Sequence, residues 1–344
     1  MPKTIGWDIG GAHVKAVLLD ERGELQCAKQ LACPLWLGLE QLTEAIATML
    51  EFFGCDSCSV NHAVTMTGEL VDLFNNRHEG VIQIAQCISK YFNEDVLFYK
   101  MSDQGQSFVS IDLVPTFSNV IASANWHASA SLIAKMQPFA LLVDIGSTTT
   151  DIISISDGRV VNSCWTDAQR LQQDTLVYTG VVRTPLMAIA QKIEVDDKLS
   201  NVAAEYFATA ADVFRLTGEL SPLSDIVPPA DGAAKSKHAS AQRLARMVGY
   251  DVEDKPLEVW LALAHAFRNK QLNQITCAME KHLKSNMVIV GTGAGQFLVK
   301  EAASILNQPY INLTNLFKQA LPPDIDICFP AFAVAKLAFE SEWI

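Results

Sequence analysis

The chain has no run of apolar residues approaching the roughly 18 to 20 that a membrane span requires, so no membrane partner is expected. Its first residues, Met1-Pro2-Lys3-Thr4-Ile5-Gly6-Trp7-Asp8, lack the basic start, apolar middle and small-residue cleavage site of an export signal, which points to a cytoplasmic protein. Basic residues are outnumbered, 26 Lys and Arg against 38 Asp and Glu, for a formal charge of -12. They form no cluster of useful length, and this excludes nucleic acid as the expected partner. Eight cysteines in 344 residues are too sparse for a disulfide framework and read as reduced thiols. What is present is globular composition, 49% apolar and 19% charged, in a chain long enough for about two domains.

The pattern along the chain is α/β. Residues 4–9, 14–19 and 24–31 alternate as three strands, with Asp20-Glu21-Arg22-Gly23 as the turn between the last two. A helix over 37–53 ends at Gly54, and a strand over 60–66 runs into Thr67-Gly68-Glu69-Leu70. Helices over 80–92 and 119–135 flank a strand at 96–99, and Pro138 closes the first half. The order then restarts, with strands expected at 139–145, 151–156 and 160–164 and Asp157-Gly158-Arg159 as a tight turn. Gly6-Trp7-Asp8-Ile9-Gly10-Gly11 and Leu142-Val143-Asp144-Ile145-Gly146-Ser147 occupy matching places, an internal repeat of about 135 residues. Two domains of like topology are therefore expected over 1–137 and 138–328. A helical insertion is expected at about 166–255, including helices over 201–216 and 239–247, and a helix over 329–344 is expected to pack back at the domain junction. Helices over about 257–283 and a buried strand at 286–290 precede Gly291-Thr292-Gly293-Ala294-Gly295.

Three loops carry chemistry. Asp8-Ile9-Gly10-Gly11 sets a carboxylate at a strand end before two glycines, whose N–H groups can approach a phosphate while the carboxylate holds a hydrated cation. Asp144-Ile145-Gly146-Ser147-Thr148-Thr149-Thr150-Asp151 repeats the arrangement and adds hydroxyls. The pair reads as a clamp for a phosphate chain and its metal in an interdomain cleft; the plainer alternative is two β-turns with β-forming threonines. Gly291, Gly293 and Gly295 form a third glycine turn without the early βαβ setting of a dinucleotide fingerprint, and are expected to line the cleft beside a bulky ligand. Cys55-Asp56-Ser57-Cys58 with His62 has no second ligand pair at zinc spacing and reads as structural.

The three loops, in this order and spacing, resemble the two phosphate motifs and the adenosine motif of the actin/Hsp70/sugar-kinase superfamily. The segment from Asp144 to Asp151 resembles in particular its hydantoinase/oxoprolinase branch. A narrower resemblance rests on Met66-Thr67-Gly68-Glu69-Leu70, Ala124-Asn125-Trp126, residues 144–152, the run from Leu176 to Pro185 containing Tyr178-Thr179-Gly180, and Ala211-Asp212-Val213 within residues 204–218. Those segments are similar to the tetrahydromethanopterin-linked C1-transfer proteins, a group that includes the methanofuran-biosynthesis enzyme.

The resemblance implies two RNase H-like domains and a transferase that joins an (aminomethyl)furan diphosphate to the phenol oxygen of a glutamyl-tyramine or tyrosine unit, releasing diphosphate. It implies magnesium or another divalent metal on Asp8 and Asp144, with phosphate held by Gly10, Gly11, Gly146, Ser147, Thr148 and Thr149. Glu69 is the candidate base for the phenol, or else a helix-start acid. Arg183 is a candidate grip for the diphosphate or for a substrate carboxylate, or else half of a structural ion pair. Lys15 either reaches the same phosphates or faces outward. Tyr178 could face the aromatic substrate, though a core position is the favoured reading. The first loop departs from kinases of the superfamily, with Gly11-Ala12-His13 where a hydroxyl residue commonly follows the glycine. ATP is thus possible but not required. An ATP-dependent kinase, an oxoprolinase-like ATPase, and a nucleotide-sensing regulator or assembly protein stay open as alternatives.

Overall fold

The computed structural model describes residues 2–56, 59–92, 96–102, 107–161, 164–322 and 325–341. In chain order, β1 (Thr4–Ile9), β2 (His13–Leu19) and β3 (Leu25–Ala32) form the opening meander, followed by α1 (Glu40–Phe53), β4 (Asn61–Met66), α2 (Arg77–Tyr91), β5 (Val96–Tyr99) and β6 (Phe108–Val109). The helix expected over 119–135 is two, α3 (Val114–Ile121) and α4 (Asn125–Met136), broken where Ser123 takes a left-handed φ of 51°. The second meander is β7 (Ala140–Ile145), β8 (Thr150–Ser156) and the short β9 (Arg159–Val160). Next come α5 (Asp167–Gln172), β10 (Leu176–Val177), α6 (Leu186–Ile189), a hairpin of β11 (Lys192–Val195) and β12 (Lys198–Asn201), α7 (Ala210–Thr217) and α8 (Lys237–Arg246). The chain finishes with α9 (Leu257–His282), β13 (Val288–Thr292), α10 (Gln296–Ile305), β14 (Tyr310–Asn312) and α11 (Ile325–Glu340).

These elements divide into two compact units, one of residues 1–139, 155–166 and 314–344, the other of 140–154 and 167–313. In the first, the strand order is β3-β2-β1-β4-β5-β6, with β1, β4 and β5 parallel. All six residues of β1 are buried, as expected of a strand covered on both faces. On one face Gly6 meets the backbone of Ala331 in α11, too close for any Cβ. On the other, the Trp7 indole donates to His62 at 3.1 Å, and His62 stacks on Phe92 at 3.7 Å between ring centroids. Truncating a fully buried tryptophan to Ala costs about 3–5 kcal/mol.

The second sheet has the order β10-β8-β7-β13-β14, with β9 on the far end of β8. The run β8-β7-β13-β14 repeats β2-β1-β4-β5, so the sequence repeat is a topological one. The third meander strand differs from expectation. It is split between β9, opposite Ile155 and Ser156, and β10, opposite Thr150 and Asp151. The helix expected over 201–216 starts only at Ala210, because Thr209 and Asp212 close a capping box there. Residues 192–201 form the β-hairpin instead.

The second core gathers Phe214, Trp260, Phe267 and Met279 from the helices around this sheet. Beside it is a buried ion network. Asp212, fully buried, accepts at one oxygen from Arg215 at 2.8 Å, Ser240 at 2.8 Å and Arg243 at 2.9 Å, and at the other from the Thr209 amide. Arg215 and Arg243 reach on to Asp225 and Asp231, which pins the proline-containing loop over 219–236 to α7 and α8.

Candidate active site

In the first unit, Asp8 stands near the end of β1 with its side chain buried, opposite Lys15 on β2 and Thr65 on β4. Residues facing each other across neighbouring strands present their side chains on one side of the sheet. Lys15 accordingly reaches back, its ammonium 3.3 Å from Asp8 Oδ2, rather than outward. Asp8 Oδ1 is buried and accepts no hydrogen bond among the described residues, and neither does Thr65 Oγ1. The turn that follows is closed by Gly10 N–H donating to His13 O at 2.9 Å. Its carbonyls are engaged from behind, Gly11 O by the Leu35 amide and Ala12 O by the Cys33 amide. A peptide's N–H points opposite to its C=O, so the amides of this turn are directed away from that backing.

The loop after β4 closes on the same turn. Thr67 N–H donates to Ile9 O at 2.8 Å, and Gly68 lies against Leu35 and the Gly10 backbone. Glu69 follows in a short 3-10 helix, only 1% exposed, with Ser123 Oγ donating to its Oε1 at 2.7 Å. It is an acid in the first turn of that helix, but a buried one beside the turn rather than at the surface.

The second unit repeats this geometry. Asp144, partly exposed at the end of β7, is opposite Thr292 of β13. Gly146 N–H donates to Thr149 O at 2.9 Å, the counterpart of the Gly10–His13 bond. Residues 179–184 strap the back of the turn. Val181 N–H donates to Gly146 O at 3.1 Å, and the Val182 and Arg183 amides both donate to Ser147 O, at 3.1 and 2.8 Å. With those carbonyls fixed, the N–H groups of Ser147 and Thr148 point away from the strap and meet no acceptor among the described residues. This is the row of open donors that a phosphate would take.

Arg183 leaves the strap exposed, and its guanidinium makes no ion pair among the described residues. Tyr178, expected in the core, is 63% exposed, because the chain departs from the sheet after Val177. Gly293, at φ +83°, puts its backbone directly against the Asp144 carboxylate, where no side chain would fit. Gly291 lies inside β13 under Tyr310, and Gly295 packs on Ile145 and Val181. Of the third glycine turn, only Gly293 abuts the acid.

Sequence reasoning passed over Thr179, Thr184 and Gln271, the residues that hold the strap. The last had a legible signal, since Trp260, Ala264, Phe267, Ile275 and Ala278 make an apolar stripe on α9 and Gln271 is the polar residue at that spacing. Cys58 of the Cys55–Cys58 motif lies outside the described residues, and His62 is a core residue bonded to Trp7.

Among the described residues no three His, Cys, Asp or Glu side chains converge as a ready metal cage. Isolated carboxylates suit magnesium, which keeps most of its water and binds through one or two carboxylates plus substrate phosphate. The orphaned buried oxygen of Asp8 fits the same need for a cation or an ordered water. No helix among the described residues is long and apolar enough to cross a membrane.

The model of the hydantoinase/oxoprolinase family matches residues 61–340. The chain belongs to that family. A curated relative from Methanocaldococcus jannaschii, 32% identical over 97% of this chain and 96% of its own length, is named (4-{4-[2-(gamma-L-glutamylamino)ethyl]phenoxymethyl}furan-2-yl)methanamine synthase. Among solved structures, a nucleotide-free acetone carboxylase superposes with a TM-score of 0.57 at 12% identity, over 96% of this chain and 70% of the other. Component A of the (R)-2-hydroxyglutaryl-CoA dehydratase of Acidaminococcus fermentans gives 0.50 at 12% identity, over 99% of both. At such identities the structures speak for the fold alone, and it is the two-sheet actin/Hsp70/sugar-kinase fold that the paired loops implied.

Proposed function

We propose that this protein of the hydantoinase/oxoprolinase family is an ether-forming transferase of furan-cofactor biosynthesis. It joins an (aminomethyl)furan diphosphate to the phenol oxygen of a glutamyl-tyramine or tyrosine unit and releases diphosphate, serving tetrahydromethanopterin-linked C1 transfer. The observation that carries the reading is nearly full-length similarity to a synthase whose named product contains a phenoxymethylfuran ether.

The chemistry gives each loop a task. The C–O bond between the furan's exocyclic methylene carbon and diphosphate breaks, the phenol oxygen bonds to that methylene carbon, and the phenol proton passes to a base. Open amides on the Ser147–Thr148 turn, with the hydroxyls of Ser147, Thr148 and Thr149, bind the departing diphosphate, as does the Gly11 amide in its unit, on the turn that the Gly10–His13 bond closes. Asp144 and Asp8, each in its own unit, would offer a carboxylate to a divalent metal, which when bound neutralises charge on the leaving group. Lys15 and Arg183 add cationic hydrogen-bond donors, and Gly293 allows Asp144 its close approach. The phenol, with an ordinary pKa of about 10, needs a base. Glu69, buried and oriented by Ser123, is suited to that work.

The test is direct. With magnesium, an aminomethylfuran diphosphate and a tyramine derivative, the protein should release diphosphate and yield an aryl ether detected by mass spectrometry. Asp144→Asn should lose turnover while keeping its circular dichroism. ATP hydrolysis without ether formation would refute the reading.

A further inference from the structure

We infer that Gln271, on α9 and outside every motif named above, is a positioning residue that sets the diphosphate-binding turn; the inference rests on the transferase reading just given. Gln271 is 1% exposed. Its amide nitrogen donates to Thr179 Oγ1 at 2.9 Å and to Gly180 O at 2.8 Å. Gly180 O can only accept, so the nitrogen must be the atom that faces it. The amide oxygen is left buried without a hydrogen-bond partner among the described residues. A leucine or methionine would continue the apolar stripe of α9 without that penalty, so the side chain at this place is there for its two donors.

Both donors act on the strap. Thr179 O also accepts from Thr150 Oγ1 at 2.7 Å, and Gly180 is clasped by Thr184, whose hydroxyl accepts from Gly180 N–H and donates to Gly180 O. Gly180 lies against the Ser147–Thr148 peptide, whose C and N atoms are 2.5 Å from where a Cβ on Gly180 would stand. The next three amides fix the carbonyls of Gly146 and Ser147. Gln271 thus presses the strap onto the turn, and the turn's free amides take their direction from the strap. Because Gly180 O keeps its Thr184 bond when Gln271 is replaced, the role separates from overall folding.

The probe is inorganic diphosphate with magnesium, titrated calorimetrically into the full-length protein. Gln271→Met should weaken its binding about tenfold, or about 1.4 kcal/mol, and raise KM for the furan diphosphate in step. The KM for the phenol and the melting temperature should stay within error. Gln271→Glu, which sets an acceptor against Gly180 O, should bind more weakly than Gln271→Met. Thr179→Val removes the same hydroxyl contact from the strap side, should weaken binding in the same direction, and decides the matter if the Gln271 variants fail to fold. Variants that bind diphosphate as tightly as the wild type overturn the role of Gln271 and leave the transferase reading standing. A wild-type protein that binds no diphosphate overturns both.

Discussion

Adding one methyl group at Gly180 separates what the fold needs from what the ligand needs. A Cβ there would stand 2.5 Å from Ser147 C and Thr148 N and 2.7 Å from Gly146 O, all backbone atoms of the turn that no rotamer change can move aside. Ordinary contact begins near 3.4 Å, so Gly180→Ala must part strap and turn by about 1 Å. The three bonds between them, at 3.1, 3.1 and 2.8 Å, would stretch past hydrogen-bonding range. At about 0.5–1.5 kcal/mol each, their loss costs roughly 2–4 kcal/mol. A misplacement of about 1 Å at a site that orients a reacting group can lower turnover about a hundredfold. Gly146→Ala is the matched control, since its Cβ would meet only Thr149 O at 3.5 Å, and its unfolding free energy should stay within about 1 kcal/mol of wild type. Its activity should still fall, because the methyl group occupies space that a phosphate would use. Urea unfolding followed by fluorescence, with diphosphate release on the same samples, reads both. A Gly180→Ala protein with wild-type midpoint and activity would refute the argument.

Other expectations follow from buried charge and burial. Arg243→Met removes one partner from the buried Asp212 while Arg215 and Ser240 remain, and should cost about 3 kcal/mol in urea unfolding; an unchanged midpoint would show the network to be dispensable. Burial works to raise the Asp225 carboxyl, but two bonds from Arg215 and the nearby Lys235 outweigh it and hold the pKa below the usual range. A depressed folded pKa gives stability that is present above the unfolded value of about 3.9 and is lost as pH falls through the folded one. The urea midpoint should therefore drop below about pH 4, and less steeply in Asp225→Asn; identical acid profiles would contradict this. Burial pushes the Cys33 thiol up to about 11, so at pH 8 it should resist a thiol reagent that labels the exposed Cys277, as peptide mapping would show.

The places where the sequence was legible share a physical cause. Alternation and glycine turns are local, and they marked β1, β5 and the turns after Asp8 and Asp144 within a residue or so. The repeat was visible because each turn needs its own acid and its own small residues. Tyr178 was misread because a tyrosine after the apolar pair Leu176-Val177 has the character of a core residue, and nothing local reveals that the chain departs the sheet after Val177. The start of α7 was misplaced because Ala203 and Ala204 favour helix, although the Thr209–Asp212 pair was present as a stop on that reading. Lys15 and Arg183 were undecidable for another reason. Whether a cation pairs inward or stays free depends on which strand or strap is placed opposite, and that is settled by long-range pairing. The strap itself joins residues 179–184 to 146–150 and to Gln271, far beyond any sequence window.

The packing of α11 on β1 carries a consequence for how the protein is made. The strand bearing Asp8 leaves the ribosome long before the helix whose backbone touches Gly6. At ~5–20 residues per second, the nascent strand waits tens of seconds with one face uncovered, while every residue of the Asp144 unit has already been synthesised. The second half of the repeat can thus mature before the first, and the face of β1 that α11 covers is among the last to close.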